Sequence, residues 1–495
     1  MARTSRFLAP LMILTLLLSS AALVLPSQQV LAAGEQWTVQ MEFVTDPLHG
    51  QVIDPNPLEF GTNAASNDGI DGNDVAGGLQ GLAPDDATAY FPNAAASPND
   101  KLRVDYRAPL GATAGDIEVW QLSLIKDSGN ASDMTLTWDD ISGVANFPLD
   151  ASIVLSGGGQ TINMRSTTTA TYANGSNYTL TITVTRLGVP TEVWVDDDWS
   201  AASDGDLVGD GYVFGYNAFC TIQEGVDAVS GSTVHVLEGE YDGFTIDYTN
   251  GLDVLGEDGA VVNGISVPGL PGVDEVLCLI NECSNVLVQN LEFDGDAFVD
   301  GTAYNGGADA AVACFGCTDT TLEELTICDC NDNLPGLTYG IYVSGAVAQT
   351  VDVISPAIST CEVGIYVCRD AVSVTDGSIQ GGGTGASYNS TGILVDGFSI
   401  ANVEGTEIFD CANVGALEAP EGSPSSNPAG CGIYVEQNAS AYVYGCCDIH
   451  HNDVGIFVQS FEPLNPQPGE PGEGTSGWLE ANGNSIHDNR VWGVF

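Results

Sequence analysis

Two rhythms of apolar and polar residues divide this chain. Between residues 35 and 187, apolar and polar positions alternate in short runs. The clearest are Trp37-Thr38-Val39-Gln40-Met41-Glu42-Phe43, Ile117-Glu118-Val119-Trp120-Gln121-Leu122-Ser123-Leu124, Met134-Thr135-Leu136-Thr137-Trp138 and Tyr178-Thr179-Leu180-Thr181-Ile182-Thr183-Val184. Period-two alternation marks strands with one buried face, and the Gly, Asn, Asp and Pro between them mark turns. This predicts an antiparallel β-sandwich over 35–187.

Beyond the Gly188-Val189-Pro190 linker the rhythm becomes a repeat. Gly340-Ile341-Tyr342-Val343 returns as Gly364-Ile365-Tyr366-Val367, Gly392-Ile393-Leu394-Val395, Gly432-Ile433-Tyr434-Val435, Gly455-Ile456-Phe457-Val458 and Gly493-Val494-Phe495, with glycine spacings of 24, 28, 40, 23 and 38 residues. The short spacings set the period, and the long ones are coils carrying Pro/Gly-rich insertions, at 265–275, 381–390, 415–431 and 460–477. A β-branched strand recurring at such a period is the mark of a solenoid that stacks coil on coil. A second marker keeps phase with it: Ile327/Cys330, Ile358/Cys361, Ile408/Cys411, Ile449/Asn452 and Ile486/Asn489. It predicts two strands per coil separated by a tight turn, with an inward Cys or Asn stacked on its equivalent one coil away. Asparagine amides would then bond along the stack, as in cross-β ladders.

With these repeats in view, the chain resembles secreted right-handed parallel β-helix proteins of the pectin-lyase-like superfamily. The likeness extends to Val193-Trp194-Val195-Asp196-Asp197-Asp198-Trp199, Gly215-Tyr216-Asn217-Ala218-Phe219, the amphipathic stretch Thr221–Val229, and Ser232–Asp242 as the first coil. It implies an N-terminal cap over 191–230, whose short helix covers the open end of the first coil, and a right-handed parallel β-helix over 231–495. The overall fold class is therefore all-β. Residues 35–187 are also similar to an N-terminal module of large secreted bacterial proteins, through Leu58-Glu59-Phe60-Gly61, the Asp68/Asp71/Asp74 loop, Leu102–Arg107 and Leu136–Asp139. That likeness assigns no activity. The superfamily's lyases abstract a proton with a basic residue, and Arg369 is nearly all this sequence offers. Galacturonase and alginate-epimerase signatures are missing too, so none of those activities transfers by fold analogy. The sequence stops within a strand, at Gly493-Val494-Phe495, which raises the expectation of an uncapped final coil and of self-association or continuation by another chain.

The start of the chain changes the compartment. Basic Arg3 and Arg6, an apolar run from Phe7 to Leu25, and small residues around Val30-Leu31-Ala32 read as a cleavable secretory signal over 1–32, placing the protein outside the cell or at its surface. No second run of about 18 apolar residues follows, so no membrane span is expected after cleavage. Net charge is −56, with ten Lys and Arg against 66 Asp and Glu; beyond Arg186 the only cations are Arg369 and Arg490. Nucleic-acid binding, which needs phosphates neutralised, is excluded. Polyuronates are disfavoured unless calcium bridges the two anions. All thirteen cysteines fall between Cys220 and Cys447. Cys330 and Cys361 occupy equivalent rungs, so they are the first candidates for a disulfide; the alternative is a reduced stack packing as small apolar groups.

Candidate chemistry follows from phase. In Gly-Ile-x-Val, the Ile and Val face inward and x faces out. Tyr342, Tyr366, Tyr434 and Phe457 would thus climb one outer line, either stacking on sugar rings or laddering against one another. One step further along, Asp396 and Glu436 fall on successive coils with Asp370 near them. Neighbouring carboxyls raise one pKa and make an acid/base couple, and their separation separates retaining from inverting glycoside hydrolysis. The same carboxylates could hold calcium. Asp448, His450 and His487 form a second cluster suited to a transition metal, or simply a polar turn ladder. Asp68, Asp71 and Asp74 have oxygen-rich spacing suited to calcium, the one cofactor the sequence suggests, or to an ordinary turn. Taken together, the sequence predicts a secreted β-helix protein that binds polysaccharide or cell-surface glycan through its aromatic line and loops. Alternatives are a glycan hydrolase working through Asp396 and Glu436, and a structural adhesin without catalysis.

Overall fold

The computed structural model describes residues 36–494 apart from 46–56, 69, 78–85, 93–100, 128–131, 175, 296–308, 331–337, 346–349, 383–389, 413–429, 437, 460–477, 482 and 490–491. The leader, and most of the insertions at 381–390, 415–431 and 460–477, lie outside the described residues. Among the described residues no helix is long and apolar enough to cross a membrane.

The N-terminal region to about residue 187 is a β-sandwich whose strands fall where alternation puts them: Trp37–Thr45, Ile117–Lys126, Met134–Trp138 and Tyr178–Arg186. Each of their buried faces contributes to one core, in which Trp37, Phe60, Phe91 and Trp120 pack edge-on or tilted. Strand Ala87–Pro92 joins the two sheets: its start pairs with Ile117–Lys126 and its end with Lys101–Arg107. One pairing departs from the expected antiparallel scheme. Leu58–Thr62 runs parallel to Lys101–Arg107, which the segment between them, longer than the dozen or so residues a parallel crossover needs, permits.

At the junction Arg165, buried, donates to the carbonyls of Ala151, Pro148 and, across the boundary, Gly205 at 2.8–3.3 Å. The cap then follows the expected plan. Helix Ile222–Ala228 starts at Thr221, whose hydroxyl accepts the Glu224 N–H and donates to the Glu224 carboxylate, a Thr-x-x-Glu capping box. Ile222, Gly225 and Val226 face down onto Val193, Val195 and Val234. That burial keeps water off the first coil's open end.

The rest is a right-handed parallel β-helix with three strands per coil, not two. In one coil these are Thr350–Ile354, Ala357–Ser359 and Val363–Cys368; in the next, Ala371–Thr375, Ser378–Gln380 and Thr391–Asp396. They stack into parallel sheets of eleven, nine and nine strands, the last extended by Val267–Pro268, which pairs antiparallel with Glu275–Asn281. The strand that the sequence did not mark is the one typified by Thr350–Ile354 and Ala371–Thr375: it carries Val-x-Val or Ala-x-Val with no glycine directly before it, and so lacks the marker that exposes the others in sequence. Ile341, Ile365, Ile393, Ile433 and Ile456 pair in register as one fully buried column.

The repeat glycines Gly340, Gly364, Gly392 and Gly432 have a steric cause. A Cβ on Gly364 would lie 2.6 Å from the Gly392 carbonyl oxygen and 2.6 Å from Ile379 Cγ2, and Gly392 and Gly432 are as crowded. At the turn marker, Asn452 Oδ1 accepts the Cys411 N–H (2.9 Å) and its Nδ2 donates to the Ile408 carbonyl (3.1 Å). Asn489 repeats the pattern on Asn452 and Ile449. The amides thus bond the neighbouring coil's backbone rather than each other.

Candidate active site on the outer face of the β-helix

The Gly-Ile-x-Val strands carry two parallel lines of side chains on their outer face. The first is Tyr342, Tyr366, Leu394, Tyr434 and Phe457, paired coil to coil. It points away from the β-helix core but is not an open stripe: Tyr342, Leu394 and Tyr434 keep 6%, 4% and 2% of their surface, and only Tyr366 and Phe457 are partly exposed. These side chains form a second small core with Val276, Ala310 and Ala313, under Val267, Leu270 and Val273 of the 265–275 insertion. Within it the rings stack, Tyr342 on Tyr366 at 5.1 Å and Tyr434 on Phe457 at 5.1 Å. Burying the apolar rings against an inserted hairpin removes from water what an open sugar platform would leave exposed.

The second line is Ser344, Cys368, Asp396, Glu436 and Gln459, and the phenols of the first line reach over to it. Tyr366 donates its hydroxyl to Asp396 Oδ2 at 2.7 Å, and Tyr434 donates to Gln459 Oε1 at 2.9 Å. Cys368 stands in register with Asp396, and Glu436 continues the same line one coil on, its N–H donated to Val395 O. The Asp396 carboxyl, on the preceding coil, stands beside that of Glu436. Partial burial first, then hydrogen bonding with Asp396 and its negative charge, push Glu436 up to about 7. The result is an acid/base couple in which one carboxyl stays largely protonated up to about neutral pH.

Asp370 does not join them. It sits 3% exposed at the corner after the strand, accepting the Ala371 N–H, and its charge acts on Cys317. Tyr366 enters the site as a hydrogen-bond donor to Asp396, whereas its place in the repeat suggested only a stacking ring. The signal for the donor role is the offset of one outward position, which sets its hydroxyl beside the residue one coil ahead.

The histidine cluster assembles as the register requires. His450 stacks on His487 with ring centroids 5.3 Å apart, and Phe409 extends the stack. The ring nitrogens are already engaged: His487 contacts Asp448 at 3.0 Å and Asp488 at 2.9 Å, and His450 contacts Glu407 at 3.1 Å. The Asp488 bond, foremost, raises the His487 pKa. Asp71 and Asp74 are engaged as well. Asp71 accepts the N–H groups of Asn67 and Asn73, and Asp74 those of Asp71 and Tyr106, at 2.8–2.9 Å. Asp68 is exposed on the same loop. Among the described residues one trio has ligand atoms within 4.8 Å of one another, Asp294, Cys328 and Asp329. Sequence inspection passes over it because Asp294 lies a full coil before the other two.

Cys330 and Cys361 are neighbouring buried thiols on successive coils, and Cys314 and Cys317 are a second buried pair. Of the vicinal pair, Cys447 is buried and Cys446 exposed, since adjacent residues cannot both face the core.

No family matches the sequence, and no curated protein does. Two solved structures are similar. A lacto-N-biosidase of family GH136 from Eubacterium ramulus is 14% identical, covering 60% of this chain and 68% of its own, with a TM-score of 0.27. The catalytic unit of a thermostable GH87 α-1,3-glucanase from Streptomyces thermodiastaticus strain HF3-3 is 12% identical, covering 82% and 87%, with a TM-score of 0.18. Likenesses this slight carry no argument about function.

Proposed function

We propose that this protein hydrolyses a neutral glycan on the outer face of its β-helix, with Glu436 as the general acid. The reading rests on one observation: two carboxyl groups side by side on neighbouring coils, with the Tyr366 phenol donated to Asp396. A carboxyl held up to about 7 still carries its proton in mildly acidic to neutral solution, where it can pass that proton to a departing glycosidic oxygen. Asp396 is the charge partner that keeps the proton on Glu436, and Tyr366 fixes the orientation of Asp396. A net charge of −56 favours uncharged sugars over uronates. The cap and repeat motifs support a place among secreted β-helix proteins of the pectin-lyase-like superfamily, and the order of residues 1–32 supports export.

The test is release of reducing ends from a panel of neutral polysaccharides. Wild-type protein is expected to release them from at least one substrate, with Glu436→Gln and Asp396→Asn each losing two or more orders of magnitude. Retained activity in Glu436→Gln refutes the assignment. Binding to polysaccharide without release in the wild type would leave a glycan-binding surface protein instead.

A further inference from the structure

A cleft of about 440 Å³ opens in the N-terminal sandwich, apart from the carboxyl pair on the β-helix. Its volume falls in the range of small-ligand pockets, roughly 300–1,000 Å³. Gln36, Asn63 and Asn73 line it with carboxamides, Thr38 and Thr62 with hydroxyls, and Tyr106 with a phenol. No charged side chain is among its described lining residues, in a chain with 66 acidic residues. We infer that this cleft is a binding site for a neutral sugar, separate from any catalytic centre.

The chemistry of the lining carries the inference. Carboxamides and hydroxyls both donate and accept, as sugar hydroxyls do, and none of them carries a charge; the nearest carboxylate, Glu59, accepts from the Tyr106 phenol at 3.4 Å. Burial raises the Tyr106 pKa, so the phenol remains a donor throughout the physiological range. The groups are also held in place. The Thr38 and Tyr106 hydroxyls lie 3.0 Å apart, and Gln36 Nε2 donates to Asn63 Oδ1 at 3.1 Å. Asp74 fixes the Tyr106 backbone N–H, Asp71 fixes that of Asn73, and Asn73 Nδ2 donates to Ser66 Oγ at 2.9 Å. The acidic loop, which the sequence offered to calcium, thus serves as the frame that positions two cleft residues. Trp37, nearly fully buried, closes the floor. Polar groups fixed before the ligand arrives need no ordering on binding, which is where affinity for a weakly held, strongly hydrated sugar is usually lost.

The inference does not depend on the hydrolase reading, and its test keeps the two apart. Full-length protein carrying Glu436→Gln, which stops turnover, is titrated calorimetrically with cello-, malto- and laminari-oligosaccharides, and with trigalacturonate as the anionic control. At least one neutral series is expected to bind and trigalacturonate is not. Asn63→Ala should weaken binding about tenfold, equivalent to about 1.4 kcal/mol. Because Asn63 Oδ1 also caps the Ala65 N–H, a second variant separates folding from binding. Ala145→Trp fills the mouth of the cleft from an exposed position and should abolish binding with the thermal midpoint unchanged. Absence of binding to every neutral series, equal affinity for trigalacturonate, or undiminished affinity in Ala145→Trp would overturn the inference.

Discussion

Replacing Glu436 by glutamine tests the carboxyl pair without any substrate. In the unfolded chain Glu436 titrates near its ordinary value of 4.5, and in the folded protein near 7. Between those values the folded form binds a proton that the unfolded form has released. The protonated contact therefore contributes fully below about pH 4.5, and its contribution is lost as pH climbs through 7. The whole rise would correspond to about 3.4 kcal/mol. Glu436 is only half-buried, so solvent screening cuts this to about 1–2 kcal/mol, or roughly 2–6 °C in the melting temperature of the β-helix. A glutamine side chain resembles the protonated acid in shape and does not titrate. Wild type and Glu436→Gln should melt together near pH 4.5, and the wild type should melt lower by that margin at pH 8. Taking the difference between the two proteins cancels the other acidic residues. A difference that stays flat from pH 4.5 to 8, or that grows in favour of the wild type, refutes the shared proton.

Gly364→Ala drives a methyl into a backbone carbonyl and an isoleucine methyl, each 2.6 Å away. It should cost about 1–3 kcal/mol in chemical denaturation; an unchanged midpoint would mean the corner gives way. Asn452→Ala strands the buried Cys411 N–H and Ile408 carbonyl, a loss of about 2–4 kcal/mol at about 1–2 kcal/mol for each. Asn452→Asp should be worse, because it buries a charge. Tyr366→Phe keeps the stacked ring and removes the hydroxyl given to Asp396, so turnover should fall about tenfold with KM little changed. Refolding with oxidised glutathione should join Cys330 to Cys361 and Cys314 to Cys317 ahead of other pairs, as read by non-reducing peptide mass mapping.

Much of the fold was written in local patterns. Alternation places Met134–Trp138 as it stands, and the Thr221-x-x-Glu224 box starts the cap helix at its observed residue. The repeat phase predicts the pairing of Ile341, Ile365, Ile433 and Ile456, and it sets His450 against His487. These successes share a cause. In a solenoid each coil repeats one geometry, so sequence phase becomes spatial adjacency. The strand typified by Thr350–Ile354 escaped because Val-x-Val with no glycine directly before it carries no positional marker.

The candidate site divides along the same line. Sequence phase alone brings Asp396 and Glu436 to neighbouring coils, since both follow the same Ile-x-Val signature. Whether an outward residue meets water is decided by what lies over it, and that cover comes from segments outside the repeat. The hairpin of 265–275 buries the aromatic line, and no periodicity in the coils predicts where an insertion folds back. Side-chain reach is equally invisible in one dimension: only the packed structure aims the Tyr366 hydroxyl at Asp396, turns Asp370 into a corner, and gathers the uncharged lining of the sandwich cleft from strands up to about a hundred residues apart. Repetition fixes which backbones are neighbours, while solvent exposure and hydrogen bonding depend on side chains converging from parts of the chain that share no repeat.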